Sequence, residues 1–195
     1  MGCGGGFRVS SDLPPQLSSL NTVGGSAGEL VLTSYLQEGT GDLLVIADTA
    51  YFAYLGRAIR NFTPKFVVAN VDVIGAGAQV AEVGFFSTPS SPNKAGQSLS
   101  KIVASASVDT LTTLGAKRNT AAFGTLVLSG TYLWAGIRVN MAVTEPRFAP
   151  YGRDRGQGAL LSQAAAAAFT TAGPWAGALI ADASDMCPWM DGELV

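Results

Sequence analysis

The side chains able to do chemistry in this chain are few, and one common type is missing. The 195 residues include fourteen acidic side chains, twelve basic ones and two cysteines, but no histidine. Without imidazole, the usual nucleophile–base triads and the commonest metal ligand are gone. Asp72, Glu82, Asp109, Glu145 and Asp154 are carboxylates of the kind that glycoside hydrolysis uses in pairs. With fourteen acids in the chain, however, a chance pair is expected and spacing selects none. Cys3 and Cys187 have no evident activating base and belong to no CxxC or Cys/His cluster, which excludes zinc on ligand count. They read either as two unpaired thiols or as a covalent link between subunits, since both lie near Gly- or Pro-flanked ends. Gly4–Gly6 lead to no Lys-Ser or Lys-Thr, so they form no P-loop. Residues 151–158 hold a single carboxylate, too few for a calcium loop. No catalytic residue, metal or cofactor is expected.

Binding chemistry has more to work with. Tyr132, Trp134, Trp175 and Trp189 combine an apolar body with a polar tip, which suits sugar faces, protein interfaces and cores alike. The segment Glu145–Arg155 carries Arg147, Arg153 and Arg155 with Phe148 and Tyr151, residue types enriched at binding hot spots. A solvated loop is the plainer reading of the same segment.

The elements that must position these groups are strands. In Thr131–Met141 the residues Leu133, Ala135, Ile137, Val139 and Met141 alternate with Tyr132, Trp134, Gly136, Arg138 and Asn140. A period of two places the first set on one face and the second on the other. The first set is expected to fill a core, with Tyr132, Trp134 and Arg138 turned toward something outside it. Further strands are expected at Tyr51–Leu55, Ile59–Phe62, Phe66–Val73, Gln79–Ser87, Lys101–Val108, Phe123–Leu128 and Ala178–Asp182. Turn chemistry separates them at Gly75–Ala78, Thr88–Asn93 and Ala116–Asn119. About eight such strands predict an all-β antiparallel sandwich or jelly roll. Gln163–Phe169 has helix propensity, but it is too short to stand alone.

Residues 1–29 are rich in Gly, Ser and Pro and cannot bury enough apolar surface to fold alone. The expected organisation is an anchoring arm over 1–47, a sandwich over 48–183 and a tail over 184–195. Leu30–Leu36 and Leu43–Ala47 fit a hairpin or a short docking element equally well. Charged residues are only 13% of the chain, about half the usual share, which leaves more surface able to meet another protein. The formal charge of −2 provides no basic stripe, so nucleic acid is not an expected partner. The longest apolar runs are far shorter than the ~20 residues of a spanning helix, so no membrane insertion is expected. The N-terminus shows no basic-then-apolar leader, and Gly6 replaces the Ser or Thr of a myristoylation signal.

Five stretches carry a family resemblance: Gly75–Gln79, Ala81–Ser87, Leu133–Arg138, Gly156–Gly158 and Gly173–Ile180. Together they resemble the jelly-roll domains in surface proteins of tailed bacteriophages, namely fibres, capsid decorations and neck or collar proteins. The resemblance spans residues 50–183 and consists of strand and turn words, so it transfers no functional residue. It implies a structural or adhesion role in the virion, made in the host bacterial cytoplasm. The implied partners are further copies of the chain, with a trimer favoured, and other virion proteins. Host-surface glycan is the alternative partner, met through Tyr132, Trp134 or the Arg147–Arg155 loop. Cys3 and Cys187 could then oxidise after release from the cell.

Overall fold

The computed structural model describes residues 30–32, 37–38, 43–58, 60–89, 99–152, 160–163, 167–170, 180–181, 186–188 and 190–193. Among the described residues every regular element is a strand. In chain order they are β1 (Leu30–Leu32), β2 (Gln37–Glu38), β3 (Leu43–Leu44), β4 (Ala50–Arg57), β5 (Phe66–Val73), β6 (Gln79–Thr88), β7 (Ser100–Ser105) and β8 (Gly115–Arg118). There follow β9 (Tyr132–Met141), β10 (Arg147–Phe148), β11 (Pro150–Gly152), β12 (Leu160–Gln163), β13 (Ile180–Ala181), β14 (Met186–Pro188) and β15 (Met190–Glu193).

Two six-stranded antiparallel sheets dominate. The first runs β13-β12-β4-β9-β6-β7, and the second runs β1-β15-β5-β10-β3 with β8 also paired to β5. A small third sheet, β14-β11-β2, lies beside them in the pairing scheme. The two large sheets meet over one apolar core, which is the arrangement of a β-sandwich. Tyr51, Ala53 and Leu55 of β4, Val83 and Phe85 of β6, and Leu133–Met141 at every second position of β9 supply one side. Val67, Ala69 and Val71 of β5, with Phe148 and Met190, supply the other. Each large side chain removed from water here contributes about 1.5–3 kcal/mol, which makes alternation the main determinant of register. Gly56, at φ 130, sits where the β4–β9 register shifts. That bulge keeps Leu55 in the core and brings Arg57 opposite Tyr132.

Several sequence expectations change. The described residues 60–62 of the first expected strand after β4, and Phe123–Leu128, form no ladder; Phe62 and Val127 form a single bridge. Ala116–Arg118, expected as a turn, belongs to β8 and pairs with β5. The next residue explains the difference: Asn119 is buried, accepts from the Val67 amide at 2.9 Å and donates to the Lys65 and Ala121 carbonyls. A fully satisfied buried amide of this kind fixes a strand end instead of turning it. Sheet pairing extends to strands outside residues 48–183 as well. β3 pairs with β10, and β1 pairs with β15, which lies on β5. Residues 1–29 lie outside the described residues, as do 164–166 of the short Ala run.

Candidate functional site

The side of the first sheet facing away from the shared core is the one that carries polar and aromatic groups. Its composition follows from register. Glu82 lies opposite Arg138, which lies opposite Ala50; Gly84 lies opposite Gly136, which lies opposite Phe52; Phe86 lies opposite Trp134, which lies opposite Tyr54. Charge therefore collects at one end of the face, glycines in its middle and large aromatics toward the other end.

At the charged end Arg138 bridges two carboxylates. Its Nη1 donates to Glu82 Oε2 at 3.2 Å, and its Nη2 donates to Asp48 Oδ1. Asn140, two residues on and on the same face, donates to Asp48 Oδ2 at 2.7 Å. Asp48 occupies the left-handed region at φ 57, and its amide donates to the Val139 carbonyl at 2.9 Å. Short polar side chains tolerate that conformation better than most, so the turn before β4 can aim a carboxylate back at β9. Glu82 is only 3% exposed. Besides Arg138, it accepts from the Phe169 amide at 2.9 Å and the Thr170 hydroxyl at 2.8 Å. From the other side Lys101 Nζ donates to the Phe169 carbonyl at 2.8 Å. The turn at 167–170 is thus clamped over the sheet by an acid on β6 and a base on β7.

Phe169 makes use of that clamp. Its ring stands 5.6 Å from Phe52 and 4.9 Å from Phe86, and the two β4 and β6 rings contact each other edge-on at 5.1 Å. These rings, with Ala50, Tyr54, Leu99 and Trp134, form a second buried apolar cluster. Gly136 makes the floor. A Cβ there would stand 2.7 Å from Phe86 Cε2 and 2.8 Å from Phe52 Cδ1, and neither buried ring has room to retreat. Gly136→Ala is accordingly expected to lower stability by about 1–3 kcal/mol in chemical denaturation, the cost of overpacking. Gly124→Ala, where a Cβ would meet nothing within 4 Å, is the matched control. Equal midpoints for the two variants would refute the glycine-floor explanation.

Trp134 corrects the sequence expectation most sharply. It is 0% exposed, stacks at 5.3 Å against Tyr54, and donates from Nε1 to the Thr88 hydroxyl at 3.1 Å. In the folded chain it is core, not a surface contact. Arg138 is likewise spent internally on its two carboxylates. Tyr132 is half-buried with the Arg57 guanidinium 5.6 Å from its ring centre, a cation–π distance. Burial, and secondarily the neighbouring Tyr132, pushes the Tyr54 hydroxyl well above the ordinary tyrosine range, with Arg57 opposing. Arg147 is exposed on β10, at the opposite end of the sandwich from Tyr132. Cys187 lies on β14 across from Tyr151 of β11. Cys3, Arg153, Arg155, Trp175 and Trp189 lie outside the described residues.

The other carboxylates do not converge on Glu82. Asp109 accepts from the Arg118 amide, Asp72 from the Asn70 side chain and Glu145 from the Met141 amide; Asp154 lies outside the described residues. Among the described residues no group of three or more His, Cys, Asp or Glu is placed to hold a metal ion. Chemically, the Asp48–Arg138–Glu82 cluster fixes a backbone segment. Both Glu82 oxygens accept hydrogen bonds from within the chain. Sequence reasoning missed Asp48, Lys101 and Phe169 as partners of this cluster. One signal was present: Glu82 is the lone charge between Val80 and Phe86, and a charge within an apolar strand calls for a buried partner. The chain matches no protein-family model, no curated protein and no solved structure.

Proposed function

We propose that this chain is a non-enzymatic structural protein of a tailed-bacteriophage virion, presenting a jelly-roll domain on the particle exterior. The observation that carries the reading is where the resembling segments fall. Ala81–Ser87 lies within β6, Leu133–Arg138 lies within β9, and Gly75–Gln79 leads from β5 into β6. These are central members of the first sheet and one of its end loops, so the resemblance rests on the framework. The polar groups on that framework hold the chain to itself, as expected of a platform. Residues 1–47 supply the anchor to the particle, and the sandwich covers or projects from its surface as one subunit of a homo-oligomer. The glycan-recognition alternative loses Trp134 as a stacking platform, because that ring is buried.

Deleting residues 1–29 is expected to abolish incorporation into particles while the remaining chain keeps its cooperative unfolding transition. Mass spectrometry of purified particles measures incorporation, and copy number per particle separates collar, fibre and decoration. A truncated chain incorporated at the full-length copy number would sink the anchoring role.

A further inference from the structure

Eight large apolar side chains stand exposed among the described residues, and six of them are gathered at one end of the sandwich: Ile46, Val73, Ile74, Val80, Leu114 and Val143. The backbone ties these positions together. Val73 pairs with Arg147, which pairs with Leu44 just before Ile46. The Gly75 amide donates to the Leu111 carbonyl at 3.0 Å, which places the loop of Leu114 beside Ile74. Ala76 and Val143–Thr144 exchange backbone bonds at 2.9 and 3.1 Å. Val80 lies opposite Asn140, at the same end of β6 and β9. Leu126 and Leu128, the remaining two, flank Val127, which bridges Phe62 at the far end.

We propose that this end is a self-association surface, on which the corresponding end of a second copy of the chain docks. The proposal rests on the homo-oligomeric virion reading and deepens it by naming the surface. Area is the first argument. At 40–75% exposure each, the six side chains present on the order of 600 Å², the upper limit for a patch on a monomer. A stable pair buries ~800 Å² per partner, so these six side chains would supply most of one partner's share. Charge is the second. The rim carries both signs, with exposed Asp72 on β5 and exposed Arg147 on β10. Such a rim can meet its own copy around a symmetry axis without like-charge opposition, and it selects against strongly acidic or basic partners.

The test uses the full chain and reads solution mass by light scattering, from about 1 to 100 µM, the range in which an interface of this size associates. Wild type is expected to be multimeric, and so is the control Leu126→Asp/Leu128→Asp. The triple variant Ile74→Asp/Leu114→Asp/Val143→Asp is expected to be monomeric with an unchanged unfolding midpoint. The single variant Val143→Asp, at a 75% exposed position, guards against misfolding of the triple and should weaken association at least about tenfold. A multimeric triple variant overturns the proposal, and so does monomeric wild type at 100 µM. If wild type is monomeric and deletion of residues 1–29 uncovers apolar-dye binding that the triple variant lacks, the chain's own N-terminal segment is the occupant and the proposal also fails. None of these failures alters whether the protein is found in purified particles, so they are distinct from failure of the virion reading.

Discussion

Arg138→Met is expected to lower the unfolding free energy by about 3–5 kcal/mol, the usual consequence of removing one member of a buried ion pair. Glu82 would keep the Phe169 amide and Thr170 hydroxyl as donors but would retain a buried charge without a counter-charge. Asp48 adds less to the effect. Its side chain is 38% exposed, so solvent screens that arm of the bridge. The double variant Arg138→Met/Glu82→Gln is expected to recover a large part of the loss, because neither charge then remains to be desolvated. Denaturant titrations of the wild type and both variants measure the effect. A single-variant loss below about 1 kcal/mol would place the bridge among the weak surface pairs and refute its role as a clamp.

Phe169→Ala should be comparably costly, at about 3–5 kcal/mol for a fully buried phenylalanine whose site cannot collapse. The glycine floor at Gly136 and the flanking Phe52 and Phe86 rings make collapse difficult. Without the ring, the turn keeps only its polar ties to Glu82 and Lys101. Amide exchange at residue 169 reports this directly, since that N–H donates to Glu82 at 2.9 Å. Loss of about 3 kcal/mol of local closure would speed its exchange roughly a hundredfold. Unchanged exchange would mean that the Glu82 and Lys101 contacts alone hold the turn.

These two residues also show what the sequence made legible. The alternation in Thr131–Met141 assigned Leu133, Ala135, Ile137, Val139 and Met141 to the core, and all five are buried there. The same alternation placed Tyr132, Trp134 and Arg138 together on the other face, which is also how the register runs. It did not reveal what covers that face. Periodicity says which residues share a side of a strand, but the cover comes from Phe169, 68 residues beyond its Lys101 partner. Glu82 and Arg138 are 56 residues apart, so their pairing was equally out of reach of local pattern. The strand assignments failed where isolated bridges replace ladders, at Phe62 and Val127. Short apolar runs there look strand-like although only one pair of residues meets. The terminal strands were out of reach for a related reason: β1 and β15, each only three or four residues long, gain their place from partners distant in the chain.

The seat of Phe169 has a kinetic consequence. It is assembled from Phe52 on β4, Phe86 on β6 and Lys101 on β7, so it exists only after those strands have aligned around β9. The turn at 167–170 is therefore expected to dock late in folding, with its contacts belonging to the native state more than to the transition state. Interactions of that kind slow unfolding while barely changing the folding rate. In stopped-flow traces Phe169→Ala should steepen the loss of native protein and leave the refolding limb in place; a slowed refolding limb would contradict late docking. A small turn pinned by one acid and one base would then set how long each chain persists once folded.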